Sequence, residues 1–414
     1  MKAVLKSVSV MVLGSGTQLA ANALAGMLAT VWLPVGERGL MILILSAAAI
    51  VALFSGAGIG NVLRARLPRM QRSDADGLVA SFTGTGALVV VLSAVLGAGV
   101  SYALVGVDGR MATPAVAATM ALAVAAQVAT NLLTDARFAR NQFSPGARWA
   151  AVSALAGVAT MSMAFLAVAA AGAEGTAVLL TACQFGGVAL VATLSATAAL
   201  RAGALRGGRG DRGAGIRMLG AGIATMALPL ALVLITRGDR LVLGANGTLA
   251  AVAVYGLAAT YCEMLRIIPT AVGQLALPRV AAGGGVRTVA RLAGLSLVLT
   301  TTAAAVLYAA VALLTVPFFG AEYAEAVPLT LLLIPGEILY ALVVLANLVL
   351  IGGQWSTMAT AAGVASLPVA FVLFWWGAEA GGGAGLAIAR SAVFLLMAVG
   401  LAVIVVRCLR RART

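Results

Sequence analysis

Histidine is absent from this 414-residue chain, and only 10% of its residues are charged, against roughly 25% in a typical soluble domain. Without imidazole there is no His-based proton relay and no His-ligated metal. Zinc, catalytic-triad and kinase motifs are missing too. Cysteine is scarce: Cys183, Cys262 and Cys408 have no metal or redox spacing and two lie in apolar runs, so they read as small packing residues and no cofactor is expected. Of the 27 basic residues only Lys2 and Lys6 are lysine.

What remains is apolar. The hydrophobic fraction is 62% and the mean hydropathy +1.08, more apolar surface than an aqueous fold of this length can hide. A membrane-spanning helix needs roughly 20 apolar residues. Runs between charged or Pro/Gly-rich breaks predict twelve, near 8–33, 39–62, 77–106, 112–134, 149–171, 176–200, 216–243, 251–276, 292–316, 327–351, 357–376 and 385–406. The fold class expected is an all-α membrane protein. Ala21-Asn22-Ala23 mimics a signal-peptidase site, but the run continues to Trp32, long enough to span, so this first helix is expected to be retained.

The net charge of +14 would suggest nucleic acid in a soluble protein. Here the basic residues fall in short loops, where they set topology. With the N-terminus inside, the inner segments carry Lys2 and Lys6; Arg64, Arg66, Arg69 and Arg72; Arg137, Arg140 and Arg148; Arg201, Arg206, Arg209, Arg212 and Arg217; Arg279, Arg287 and Arg291; and Arg407, Arg410, Arg411 and Arg413. The outer segments carry only Arg38 and Arg110. Both termini are therefore expected in the cytoplasm of a bacterial inner membrane, and no nucleic-acid partner is expected.

The most basic loop is also Gly-rich and lies midway, which predicts a first six-helix bundle at 1–205, a linker at 206–217 and a second bundle at 218–414. Leu67-Pro68-Arg69 after helix 2 recurs as Leu277-Pro278-Arg279 after helix 8. An offset of six helices preserves orientation, so the halves read as parallel repeats. Gly208-Arg209-Gly210-Asp211-Arg212-Gly213 matches a dinucleotide fingerprint but neither follows a strand nor opens a helix, and it reads as coincidence. Gly56 to Gly60 reads as small residues permitting close helix contact.

Ionisable residues inside apolar helices cost roughly 2.5–3.5 kcal/mol each on insertion scales and need a reason. Seven occur: Arg237, Asp239 and Arg240 in the outer part of helix 7, Glu263 and Arg266 in helix 8, Glu337 in helix 10 and Arg390 in helix 12. All belong to the second half. Deep polar residues of the first half are neutral: Gln18, Asn22, Gln127, Asn131 and Gln184. One reading has Glu263 and Arg266, at i and i+3, neutralising each other while Arg237, Asp239 and Arg240 snorkel to the interface. The other has them line a water-filled cavity, where four arginines against three carboxylates leave the positive excess that a phosphate or diphosphate wants. On that reading Arg266, Arg237, Arg240 and Arg390 bind substrate, and Glu263, Glu337 and Asp239 are candidates for ion coupling. Pro335-Gly336 would break helix 10 beside Glu337.

Three stretches resemble a known family: Gly36-Glu37-Arg38-Gly39 with Gly56-Ala57-Gly58-Ile59-Gly60; Arg237 to Gly244 through Val254-Tyr255-Gly256-Leu257-Ala258 to Leu277-Pro278-Arg279; and Phe319-Gly320-Ala321-Glu322-Tyr323 through Val327-Pro328-Leu329 to Pro335-Gly336. In order and spacing they are similar to the O-antigen or Wzx-type oligosaccharide flippases of the multidrug/oligosaccharidyl-lipid/polysaccharide (MOP) exporter superfamily. The resemblance implies two six-helix bundles, alternating access and no enzymatic activity. It implies export of polyprenyl-diphosphate-linked oligosaccharides for O-antigen lipopolysaccharide, capsule or exopolysaccharide. The implied partners are the lipid-linked oligosaccharide, membrane lipids, and glycosyltransferases and a polymerase of the same pathway. A MATE-like drug or metabolite antiporter of the same superfamily would want a net acidic cavity, and a polysaccharide polymerase or other membrane enzyme would want a large outer loop. The arginine excess and the short loops speak against each.

Overall fold

The computed structural model describes the chain apart from residues 1, 57, 68–69, 71, 141, 203–204, 206–211, 282–284, 353–354 and 412–414. Among the described residues there is no strand. Helices follow one another as α1 (Lys2–Trp32), α2 (Val35–Ser55), α3 (Ile59–Arg66), α4 (Arg72–Ala103), α5 (Pro114–Ala139), α6 (Phe143–Ala170), α7 (Ala177–Arg201), α8 (Arg212–Asn246), α9 (Leu249–Glu263), α10 (Ile267–Ala281), α11 (Val286–Phe319), α12 (Ala326–Gly352) and α13 (Ser356–Arg411).

Apolar runs become helices because in hydrocarbon every backbone N–H and C=O must be satisfied within the segment. Their starts are set by hydroxyls that accept the first free amides. Thr113 Oγ1 accepts from Val116 N–H at 3.4 Å, ahead of Pro114 at the first helical position. Thr176 and Thr248 cap α7 and α9 in the same way, each at 3.2 Å. Outward faces are apolar rather than polar: Leu313 and Val298 of α11 are 73% and 65% exposed. Such faces suit lipid, not water.

Among the described residues nine helices are long and apolar enough to cross a membrane, or ten when the bent pair Gly213–Ile223 and Leu228–Asn246 is taken as one crossing. One of the nine spans Thr357–Arg410 at 54 residues. It is broken at Gly381 and at Gly382, whose φ of 53° glycine adopts without strain. Either arm alone is long enough to cross. With α13 counted as two crossings, and with the 31-residue α1, the expected twelve are reached. The protein is a multi-pass, all-α membrane protein.

The chain divides into two compact units, Met1–Leu33 with Leu43–Met226, and Pro34–Ile42 with Ala227–Thr414. The first is built around α4, α5 and α7, whose buried apolar side chains include Phe82, Val124 and Leu132. The second takes the beginning of α2 against the beginning of α9. A Cβ on Gly39 would fall on the backbone carbonyl of Leu249, so only glycine permits that approach.

Several boundaries depart from the sequence reading. Helix α5 continues past 134 to Ala139, so Asp135 and Arg137 lie within it rather than in an inner loop, and Arg137 is 6% exposed. The first half does carry a buried cation after all. Helix α2 starts at Val35, which puts Arg38 inside a helix at 2% exposure. Helix α12 runs unbroken through Pro335, and Gly336 serves packing: its Cβ would lie 2.9 Å from Ser391 Oγ of α13. The break falls instead in the predicted helix 8, where a 3-10 turn, Met264–Arg266, separates α9 from α10. Gly58, at φ 62°, makes the turn between α2 and α3, and Gly60 packs on the Asp135 side chain. Most of the predicted linker and of the Gly-Arg run, 206–211, lies outside the described residues, as do Pro68 and Arg69 of the repeat.

Candidate functional site

The seven ionisable residues singled out in the sequence meet in one buried network inside the second unit. Helix α8 supplies Arg237, Asp239 and Arg240. Helix α9 and the 3-10 turn supply Glu263 and Arg266, α12 supplies Glu337, and the second arm of α13 supplies Arg390.

Glu263 takes two arginines, one per oxygen: Arg240 Nη2 donates to Oε1 at 2.5 Å and Arg237 Nη2 to Oε2 at 2.9 Å. Glu337 is held by a planar fork, Arg266 Nε to Oε2 at 2.8 Å and Nη2 to Oε1 at 2.7 Å, the geometry for which a guanidinium is suited and an ammonium is not. Arg390 joins the two ends of the site, donating from Nη2 to Glu337 Oε1 and from Nη1 to Asp239 Oδ2 at 3.0 Å. Asp239 also accepts from the Tyr255 hydroxyl at 2.8 Å and from the Arg240 amide at 2.8 Å. The guanidinium of Arg266 lies over the Tyr340 ring at 4.7 Å.

Neither simple expectation holds here. Glu263 and Arg266 do not pair with each other; each takes its partners from other helices, Arg266 from a residue 71 positions along the chain. Nor do Asp239 and Arg240 snorkel, being 0% and 3% exposed. Burial divides the candidate substrate arginines. Arg390 is fully enclosed and Arg240 nearly so, whereas the side chains of Arg237 and Arg266 retain 28% and 15% of their surface. Asp239 and Glu337 have no exposed side-chain surface, and Glu263 keeps 11%.

Chemically the site is a cation-rich lattice. Four guanidinium groups face three carboxylates, leaving one positive charge in excess. A fifth cation, Arg38, lies within electrostatic reach of Arg240 and Tyr323. Two buried donors, Nε of Arg240 and of Arg390, have no hydrogen-bond partner among the described atoms. An oxyanion is the ligand such a lattice suits.

Sequence reasoning missed Tyr255, Tyr340 and Arg38. Tyr255 stands in one of the stretches that carry the family resemblance, yet nothing in its spacing pairs it with Asp239. Arg38 reads as an outer-loop residue in the sequence because the apolar run begins after it.

No protein-family model matches the sequence, and no curated protein matches it. Solved structures do resemble the fold. A lipid II flippase, MurJ, in an inward closed conformation, superposes with TM-score 0.75 at 10% identity, over 95% of this chain and 87% of that one. An inward-facing multidrug resistance MATE family transporter of the MOP superfamily gives TM-score 0.67 at 13% identity, over 94% and 95%. A eukaryotic MATE transporter gives TM-score 0.63 at 15% identity, over 99% and 98%. The chain has the fold of the MOP superfamily transporters.

Proposed function

We propose that this protein is a flippase that carries a polyprenyl-diphosphate-linked oligosaccharide from the cytoplasmic to the outer leaflet of a bacterial inner membrane. The two halves alternate in access, both termini are cytoplasmic, and the transported glycan serves O-antigen, capsule or exopolysaccharide assembly. Glycosyltransferases supply the substrate and a polymerase consumes it. The observation that carries this reading is the excess of guanidinium in the buried network, with Arg237 and Arg266 keeping exposed edges.

A diphosphate leaving water loses its hydration, and fixed guanidinium groups replace part of it with charge-assisted hydrogen bonds. On this reading Arg237 and Arg266 touch the diphosphate. Arg240 and Arg390 hold the carboxylates that would otherwise neutralise those two. Glu263 and Glu337 are then the exchangeable partners: each arginine passes from carboxylate to phosphate as substrate enters and back as it leaves. Glu263, Glu337 and Asp239 are also the acidic groups on which a driving ion would act. One solved structure sharing the fold is of a lipid II flippase, which favours a lipid-linked substrate; others are of multidrug transporters, and lipophilic cations would call for an acidic site instead.

The test is complementation of a flippase-deleted strain, with surface polysaccharide as the readout and membrane levels matched by blotting. Restoration by wild type is expected, with partial function for Arg266→Lys and loss for Arg266→Ala. Failure to restore polysaccharide, together with export of ethidium or rhodamine, would place the protein among the drug antiporters.

A further inference from the structure

The first unit holds a buried cation that the network of the second does not use. Arg137, near the end of α5, donates from Nη1 to Ser195 Oγ at 2.5 Å and from Nη2 to the Ser195 carbonyl at 2.9 Å. Its guanidinium rests over the Trp149 ring at 5.3 Å. Among the described residues it has no carboxylate partner. A guanidinium taken out of water with only neutral partners is a costly arrangement, and a counter-charge would relieve it.

The helices around Arg137 leave room for one. A small cleft among α5, α6 and α7 is lined by Thr130, Thr134, Arg137, Trp149, Ser153 and Ser195. Among the described residues the Oγ of Ser153, a residue only 3% exposed, has no hydrogen-bond partner, and neither has Oγ1 of Thr130. Ser195 Oγ already accepts from Arg137, so its own proton is left to donate. Four side chains able to donate thus line one cleft, and the guanidinium of Arg137 is the only formal charge among them. The free space is that of about one water-sized sphere, too small for a phosphate group.

We propose that this cleft binds a small monovalent anion of chloride size, held by Arg137 and by the hydroxyls of Thr130, Ser153 and Ser195. The bound ion neutralises Arg137 and ties α5, α6 and α7 together, so the stability of the protein depends on which anion is in solution. This site is separate from the network proposed to carry substrate, and it stands or falls independently of that reading.

The experiment uses the purified full-length protein in detergent, titrated with sodium chloride or bromide against sodium gluconate at constant ionic strength, with thermal unfolding as the readout. Chloride and bromide are expected to raise the unfolding temperature along a saturating curve, and gluconate to leave it flat. Arg137→Gln is expected to abolish the response. The Thr130→Val, Ser153→Ala double variant keeps Arg137 and the packing, and it is expected to move the chloride midpoint upward by about tenfold or more, as loss of hydrogen bonds to a charged group does. This second variant decides the matter if Arg137→Gln does not fold. Bromide-soaked crystals are expected to show an anomalous peak between Arg137 and Ser153. Equal titrations in chloride and gluconate, an unchanged midpoint in the double variant, an equal response to inorganic phosphate, or water alone in the cleft would each overturn the proposal.

Discussion

Replacing Arg390 with methionine removes the side chain that ties Asp239 to Glu337, and the two carboxylates are left in unequal states. Glu337 keeps its fork from Arg266, whereas Asp239 keeps only the Tyr255 hydroxyl and the Arg240 amide. A carboxylate with no exposed surface then has no cation hydrogen-bonded to it. Removing one partner of a buried pair costs about 3–5 kcal/mol, a large share of the 5–15 kcal/mol by which a typical protein is stable. Neutralising the stranded group as well, in Arg390→Met with Asp239→Asn, takes away the uncompensated charge and should return most of the loss, a coupling between contacting residues that a double-mutant cycle isolates. The assay is thermal unfolding of each purified variant, read by fluorescence-detected size-exclusion chromatography. A single variant as stable as wild type, or a double variant no better than the single, would refute the assignment of Arg390 as the keystone of the network.

Three further outcomes are expected. Single cysteines at Gly207 and Thr414, in a background without native cysteines, should resist an impermeant thiol reagent in intact cells if, as proposed, both positions face the cytoplasm; strong labelling of either overturns that topology. Changing Glu263 and Glu337 together to Gln should weaken the dependence of transport on the ion gradient, measured at matched expression; a fully retained dependence removes both from the coupling pathway. Gly39→Val should fail to accumulate as a monodisperse protein, because its side chain meets the Leu249 carbonyl; normal monodisperse yield would show that the two helices do not approach so closely.

Twelve crossings were legible because hydrocarbon demands long uninterrupted apolar helices, and that demand is written directly in residue type. Their ends were not. Charge alone does not stop a helix, so α5 runs on through Asp135 and Arg137, and α2 begins before Arg38. The seven site residues were legible for a related reason: an ionisable group within an apolar run stands out. Their pairing was hidden. Spacing of i and i+3 on one helix suggested Glu263 with Arg266, but the partners are chosen by which helices pack together, and Glu337 and Arg390 come from distant segments. Pro335 was expected to break α12 and does not, whereas the 3-10 turn at Met264–Arg266 carries no proline or glycine to announce it. Tyr255 and Tyr340 were silent because a tyrosine in an apolar run is ordinarily core.

Carriage of an anionic lipid headgroup by the guanidinium excess, as proposed, can be measured in proteoliposomes of the purified protein holding a fluorescent polyprenyl-diphosphate oligosaccharide, with outer-leaflet dye quenched by dithionite. Wild type should bring substrate to the quenched leaflet, Arg266→Ala should slow this by more than tenfold, since losing a partner of a buried charge costs about 2–5 kcal/mol, and Arg266→Lys should fall between. Equal rates for wild type and Arg266→Ala would show that the buried guanidinium groups do not carry the headgroup.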